Sequence, residues 1–443
     1  MPIDIVRDAA VDVLLRVFEK HWFLSESLDR TIQRKVQLSE RGRRFLTQLV
    51  YGTVRYRLLC DHVLTPLLRQ PLEELPPPIL AILRMGVYQS LFCDTVTTPA
   101  MVHTSVDLAK RRGNAGTARL VNAILRRVPQ TLDTVALPAP EANIAQHLSL
   151  RFSIPLWLVE RWITEFGAEE AQHLCEVCNT QAPVSLRVNL QKNSVEELQA
   201  RLTKTGLLTH KKTDVPDELT LAEGGQPVRS KLFTAGHFLV QDPASMLPAH
   251  LMEPKDGDWI LDVCAAPGGK ATHLAQLAPA AWVVAMDLDP ARLRSIRENI
   301  DRLGVENIQL LCGDGKRSPL NAEFDRILVD APCSGLGTIR RHPDLKWRLQ
   351  PDAIPRLARE QQRLLRSAIA HCKIGGLVVY SVCTFTPEET EGVVNKLLSE
   401  GQVQTEAGPD WMNTWQIKPG QYRILPQKEA LDGFYLTRLR KVS

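Results

Sequence analysis

The chain has 443 residues, 44% hydrophobic and 23% charged, with a formal net charge of +4. At roughly 100–200 residues per domain this implies two to four domains, each large enough to bury a core. No apolar stretch approaches the roughly 20 residues that span a bilayer, and the first residues lack a basic segment followed by an apolar one, so a cytoplasmic protein is expected rather than a membrane or exported one.

From Ile3 to about Val128 apolar residues recur at helical spacing, as in Val11, Leu14, Leu15 and Phe18, with breaks at Pro71 and Pro76-Pro77-Pro78. Residues 1–135 are therefore expected to form an all-helical domain. Its most apolar stretch, Ile79–Phe92, is interrupted by Arg84. Positive charge is concentrated here: the first 140 residues hold 19 Lys+Arg against 13 Asp+Glu, whereas the rest hold 35 against 37. Such an excess fits a nucleic-acid binder, because neutralising phosphates releases counterions. The clusters Arg41/Arg43/Arg44, Lys110/Arg111/Arg112 and Arg126/Arg127 are its footprint, although each alone also reads as a solvated helix face.

The stretch from Pro129 to His147, with Pro138 and Pro140, has a linker's composition, and a linker is expected at 136–147. Residues 148–240 read as a small α+β, RRM-like subdomain. Helical patterns through Leu156, Trp162 and Phe166 give way to the alternating strand Val184–Asn189, and Ser194 and Glu197 stand at capping-box spacing before the next helix.

In 241–443, short apolar strands alternate with helical stretches: Trp259–Val263, Trp282–Met286, Ile308–Cys312, Arg326–Val329 and Leu377–Tyr380. This is the pattern of a doubly wound, mostly parallel, Rossmann-like sheet, whose ligands bind beyond the carboxyl ends of the strands. Asp262, Asp287, Asp314, Asp330 and Cys383 all fall on that rim. The first strand runs into Cys264-Ala265-Ala266-Pro267-Gly268-Gly269-Lys270 and then a helix, so small residues let a ligand approach amides at a helix N-terminus. The loop matches neither a dinucleotide fingerprint nor a phosphate loop. S-adenosylmethionine therefore fits better than NAD: its carboxylate would lie near the amides, its ribose on Asp287 and its adenine amino group on Asp314.

Nine cysteines, an odd number scattered over the chain, indicate free thiols. The lone pair Cys175 and Cys178 lacks the further ligands zinc needs, so half-buried helical cysteines and no metal are expected. Cys333 in Asp330-Ala-Pro-Cys-Ser and Cys383 in Tyr380-Ser-Val-Cys-Thr each follow a strand on the same rim. Spacing does not decide which of the two would attack a substrate.

These motifs, with Ile339-Arg-Arg-His-Pro-Asp-Leu-Lys-Trp347, Pro387-Glu-Glu389 and Gly236–Ser245, resemble the RNA (cytosine-5) methyltransferases of the Nol/Nop/Sun class, in particular the bacterial Fmu/Sun subgroup acting on 16S rRNA. Ala81–Gln89 and Val121–Arg127 resemble the NusB-like domain at the head of that subgroup. The resemblance implies a methyl transfer from S-adenosylmethionine to cytosine C5 in 16S rRNA or a small-subunit precursor; no membrane and no metal are expected from the apolar stretches and the cysteine spacing, and a monomer is the working expectation for an oligomeric state the sequence leaves open. The resemblance assigns attack at C6 to Cys383, release of product to Cys333, and contact with the cytosine N3 edge to Asp330. Arg340, Arg341, His342 and Lys346 would then touch phosphates near a flipped base, and Trp347 would stack a base or join the core. One departure stands out: the resembling motif commonly reads Thr-Cys-Ser, where this chain has Val382-Cys383-Thr384. The rivals are the same chemistry on tRNA, a noncatalytic RNA-binding or antitermination factor, and an NAD enzyme.

Overall fold

The computed structural model describes residues 4–132, 136–222, 225–429 and 431–443. They form two compact units, one running to Thr180 and taking in Ile339–Leu349, the other comprising Gln181–Thr338 and Gln350–Ser443.

The first unit is helical. Asp4 caps the helix Ile5–Lys20 by accepting from the Val6 and Arg7 amides, while the expected start at Ile3 lies outside the described residues. Helices Glu40–Arg55, Pro77–Phe92, Thr98–Arg112 and Ala115–Leu132 share one core with it, built on Leu14, Leu49, Ile82, Leu83, Val121 and Leu125. Arg84, the interruption in the apolar stretch, is buried and bonds Asp61 through two nitrogens at 2.6 and 2.9 Å, so its charge is compensated inside the fold. Pro129 does not open a linker: it lies within Ala115–Leu132, one turn from the end, because buried Val128 keeps that turn on the core. The expected 136–147 linker likewise ends in the helix Ile144–Phe152, capped by Asn143; residues 133–135 lie outside the described residues. Helices Leu156–Phe166 and Ala168–Asn179 also belong to this compact unit, which runs to Thr180.

The second unit carries two sheets. Strands β1 (Ser185–Val188), β2 (Thr209–His210), β3 (Glu218–Leu221) and β4 (Phe238–Val240) form an antiparallel sheet ordered β2-β3-β1-β4. The helix Val195–Lys204 begins with the expected capping box of Ser194 and Glu197, and its Leu198 and Leu202 pack with Leu186, Leu219 and Phe238.

The large sheet contains β5 (Trp259–Asp262), β6 (Trp282–Asp287), β7 (Ile308–Cys312), β8 (Phe324–Asp330), β9 (Cys372–Val382), β10 (Val403–Thr405), β11 (Gln416–Lys418), β12 (Gln421–Ile424) and β13 (Phe434–Lys441). Its order is β11-β12-β13-β9-β8-β5-β6-β7, with β10 on β13. The five strands read from the sequence pair in parallel, but β10–β13 are antiparallel additions, so the sheet is mixed. Apolar layers cover both faces, one including Leu247, Leu274 and Ile296, the other Leu365, Ile369 and Val394. Among the described residues no helix is long and apolar enough to cross a membrane.

A buried polar cluster joins the two sheets' surroundings. Asp217, before β3, lies 2.8 Å from His250 Nε2 and 2.8 Å from His273 Nε2, and the three groups could in principle hold a metal ion. Burial opposes ionisation of Asp217, but the two imidazoles outweigh it and hold its pKa below the carboxylate range. Burial also keeps the His273 ring neutral, with its pKa down at about 4. A folded-state pKa below the unfolded value means that the native state resists a proton the unfolded chain accepts. The stability from His273 is therefore complete above about pH 6.5 and is lost as pH falls toward 4, a total of about 3 kcal/mol. Urea midpoints measured at neutral and mildly acidic pH should show that His273→Gln flattens this acid-side loss; an unchanged slope would remove His273 as its source.

Candidate active site

The rim at the carboxyl ends of β5, β6, β8 and β9 holds most of the candidate site residues. β8 and β9 are neighbours with Asp330 opposite Ser381, and this register brings the residues after each strand together. The Cys333 and Cys383 sulfurs lie 3.3 Å apart, both partly buried. Gly337 N–H donates to the Cys383 carbonyl at 3.0 Å and ties the Cys333 loop back to the end of β9.

Asp330 is held from two sides: Lys270 Nζ donates to Oδ2 at 2.7 Å and Ser381 Oγ donates to Oδ1 at 2.6 Å. Burial opposes the charge on Lys270, but Asp330 and Cys383 outweigh it, so its pKa lies above the ordinary lysine value. The Cys333 thiol is pushed well above its ordinary value, first by its hydrogen bond to Cys383, then by burial and by the charges of Cys383 and Glu389. The Val382 side chain lies on the face of β9 opposite Ser381 and is buried in the apolar layer there, so the missing Thr hydroxyl costs Asp330 no partner at Ser381.

The loop after β5 is shaped for a ligand. Gly268 has φ +98°, and a Cβ there would come within 2.9 Å of Ile296 Cγ2 and 3.1 Å of its Cα. Gly268→Ala should destabilise the protein by roughly 1–3 kcal/mol, read as a lowered urea midpoint; an unchanged midpoint would show that the loop relaxes freely. Asp287 ends β6, buried, and accepts from the Ala266 amide at 3.1 Å and the Asp289 amide at 3.1 Å. Arg292 reaches the Ala266 carbonyl at 3.0 Å. Asp262 is wholly buried, and among the described residues neither of its oxygens has a hydrogen-bond partner of good geometry. Burial, then the charge of Asp330, push its carboxyl up to about 8. Burial raises the Cys264 thiol too.

Arg187, on β1, was not singled out from sequence. It is buried and donates to Gln241 Oε1 (2.6 Å), to Thr272 Oγ1 (2.9 Å) and to the Gly269 carbonyl, anchoring the start of the helix Gly269–Leu277. An arginine alternating with buried Leu186 and Val188 in a short strand was the available signal. Ser381, Ser334 and Glu389 were missed as well; they lay inside quoted motifs but carried no local mark of a role.

Asp314 lies just beyond the end of β7. Its Oδ1 accepts from the Lys316 amide at 3.0 Å, and it lines an open cleft of about 770 Å³ with Lys316, Arg363 and His371 that includes neither cysteine. Within Ile339–Leu349 the expected phosphate contacts at Lys346 and Arg340 need correction, whereas Arg341 is half-buried and His342 exposed. Lys346 is buried, donates to the Arg55 carbonyl at 2.8 Å and has its pKa driven down to about 7 by burial, so it is not a phosphate contact. Arg340 is buried too. Trp347 donates Nε1–H to the Val54 carbonyl at 2.7 Å and packs on the helical core, the core role of its two readings. Cys175 and Cys178 are fully buried instead of half-buried. Of the basic clusters, Lys110, Arg111 and Arg112 pair with Asp107, Asp8 and Asp12, whereas Arg41, Arg126 and Arg127 are exposed.

Comparison with known proteins accounts for each part of the chain. The family model described as "16S rRNA methyltransferase RsmB/F" matches residues 249–440, "NusB family" matches 4–130, and "Methyltr_RsmF/B-like, ferredoxin-like domain" matches 154–229. The solved structure of PH0851 covers 98% of this chain and 99% of its own at 26% identity, with a TM-score of 0.84. A methyltransferase homolog protein from Pyrococcus horikoshii is 32% identical, covering 68% of this chain and 99% of its own, with a TM-score of 0.59. The ribosomal RNA small subunit methyltransferase B of Vibrio cholerae is 34% identical over 98% of this chain and 97% of its own, and the chain accordingly belongs to the RsmB/F family of methyltransferases, with an all-helical NusB domain, a small middle domain and a mixed-sheet catalytic domain.

Proposed function

We propose that the protein methylates C5 of a cytosine in 16S rRNA, using S-adenosylmethionine and a transient covalent bond from Cys383 to cytosine C6. The observation that carries this reading is the pair of thiols 3.3 Å apart beside the Lys270–Asp330 pair, in a chain of this family. Family membership and the names of relatives support the rRNA target.

The residues present fit the cofactor. Asp262, buried with neither oxygen hydrogen-bonded among the described residues, suits its ammonium group; the amides of Gly269 and Lys270, which open the helix Gly269–Leu277, suit its carboxylate; Asp287 suits the ribose and Asp314 the adenine edge. When bound, it supplies an electrophilic methyl carbon. Cytosine C5 is too weak a nucleophile to take that carbon unaided, and the chain's residues make it one. The Cys383 thiolate adds to C6, and the C5=C6 electron pair becomes available at C5. Asp330, steadied by Lys270 and Ser381, bonds the N3 edge and stabilises the enamine. With Cys383 converted to a thioether, its charge no longer opposes ionisation of Cys333. Cys333 gives its proton to water, takes the C5 proton, and the C6–S bond breaks to restore the ring and the Cys383 thiolate. Exposed Arg41, Arg126 and Arg127 on the helical domain would hold phosphates of the RNA.

The test supplies purified protein with labelled S-adenosylmethionine and, in parallel, small-subunit rRNA, partial small-subunit particles or tRNA, followed by bisulfite mapping. A bisulfite-resistant cytosine in 16S rRNA is expected. Label entering only tRNA would overturn the target, and label without a bisulfite-resistant cytosine would overturn the C5 chemistry.

A further inference from the structure

Glu389 lies in Pro387-Glu-Glu389 and is wholly buried. Its carboxylate accepts four hydrogen bonds. Oε1 takes them from the Ser334 amide at 2.8 Å and Gln361 Nε2 at 3.0 Å; Oε2 takes them from Ser334 Oγ at 2.5 Å and Thr386 Oγ1 at 2.7 Å. Among the described residues no Lys, Arg or His forms an ion pair with it.

The placement of these donors is the point. Ser334 follows Cys333, and Thr386 lies in the turn after Cys383. Thr384, adjacent to Cys383, is 2.9 Å from Ser334 Oγ. Gln361 adds a third support, since its Nε2 also donates to the carbonyl of Pro332 at 2.9 Å. Tyr380 O–H bonds the Glu389 carbonyl at 2.6 Å and fixes the backbone from β9. One carboxylate therefore joins the two thiol loops. A buried carboxylate without a cation is costly even when hydrogen-bonded, so packing alone gives no reason for a charge here.

We propose that Glu389 is a positioning residue: its carboxylate clamps the Cys333 loop to the Cys383 loop and so sets the separation and orientation of the two sulfurs. The inference rests on the two-thiol reading above. Charge acts in the same direction as geometry, because Glu389 is among the groups that keep the Cys333 thiol protonated, after its hydrogen bond to Cys383, burial and the Cys383 charge. The other ionisable groups facing the pair are Lys270, which interacts with Cys383, Asp330, which holds Lys270, and Tyr380, which interacts with Cys333.

The experiment compares the full-length protein with Glu389→Gln and Glu389→Ala. Each cysteine's alkylation by iodoacetamide is followed by peptide mass spectrometry from about pH 6 to about pH 10, the range that brackets a free thiol. Multiple-turnover methyl transfer to 16S rRNA is measured in parallel, and a thermal melt reports folding. Glu389→Gln keeps the volume and most of the hydrogen bonds, so it carries the test if Glu389→Ala does not fold. The expected result for folded Glu389→Gln is a Cys333 alkylation profile displaced to lower pH by about one unit, with methyl transfer reduced ~10–100-fold. A folded variant with wild-type alkylation of both thiols overturns the proposal, whether transfer is kept or lost, because the clamp would then act on something other than the sulfurs. A fully active Cys383→Ala would overturn the two-thiol reading instead, and it would leave the alkylation result standing.

Discussion

Cys383→Ala is expected to lose methyl transfer by on the order of 10⁴-fold or more and to form no covalent complex with RNA, while melting close to the wild type. The size of the effect follows from the chemistry: without a thiolate at C6, C5 has no electron pair to offer, and no other residue at the rim supplies one. The neighbouring sulfur is a poor substitute. The Cys333 thiol is pushed well above the ordinary value by the hydrogen bond to Cys383, by burial and by the charges of Cys383 and Glu389. Lys270, protonated and interacting with Cys383, puts positive charge on the attacking side. Fold should survive because the substitution removes one sulfur from a site that is only partly buried. Denaturing gels of protein incubated with RNA and S-adenosylmethionine, with label counted in the RNA, make the measurement. A covalent complex in Cys383→Ala that is absent from Cys333→Ala would reverse the two roles.

Cys333→Ala should do the opposite, making the adduct and failing to resolve it. Attack needs only Cys383, so one methyl group per protein is transferred at a rate near that of the wild type. Breakdown needs a base at C5, and general base catalysis contributes about 10²–10⁴-fold; multiple turnover should fall by that amount, with the protein trapped on its RNA. The complex should withstand denaturant and be destroyed by nuclease. Full turnover without a trapped species would show that another group, with Asp330 the nearest alternative, removes the C5 proton.

The parallel half of the sheet was legible because each strand is a short apolar run ended by an acid or followed by a thiol, and Asp262, Asp287 and Asp330 do end their strands. The adjacency of β8 and β9 was not. The order β9-β8-β5-β6-β7 is set by how helices pack on both faces, and local pattern carries no trace of it. The antiparallel strands at the end of the chain were missed for a different reason: only short helical turns, Asp410–Trp415 and Pro426–Glu429, separate them, and β13 carries Arg438 and Arg440, which read as surface until their partner Glu406 is seen. Charge misled in the same way elsewhere. Lys346 donates to a carbonyl 291 positions away, and Lys110–Arg112 meet acids that include Asp8 and Asp12 on the first helix. A cation's partner decides whether it faces RNA or the core, and that partner is seldom near in sequence. Glu389 was hidden by the converse, since Pro-Glu-Glu has the composition of a solvated turn while its last side chain is buried.

The pairing of Asp330 with Ser381 acts as a ruler for the chain's tolerance of insertions and deletions. Fifty residues separate the two cysteines, yet none of that length enters the distance between their sulfurs. Extra residues at the exposed turn Gln350–Asp352 lengthen the path without moving either strand end. One residue added between Ser381 and Cys383 turns the thiol to the other side of the sheet, because side chains alternate along a strand. The interval can therefore vary in length over most of its extent, while a few positions at the ends of two hydrogen-bonded strands accept no change in count.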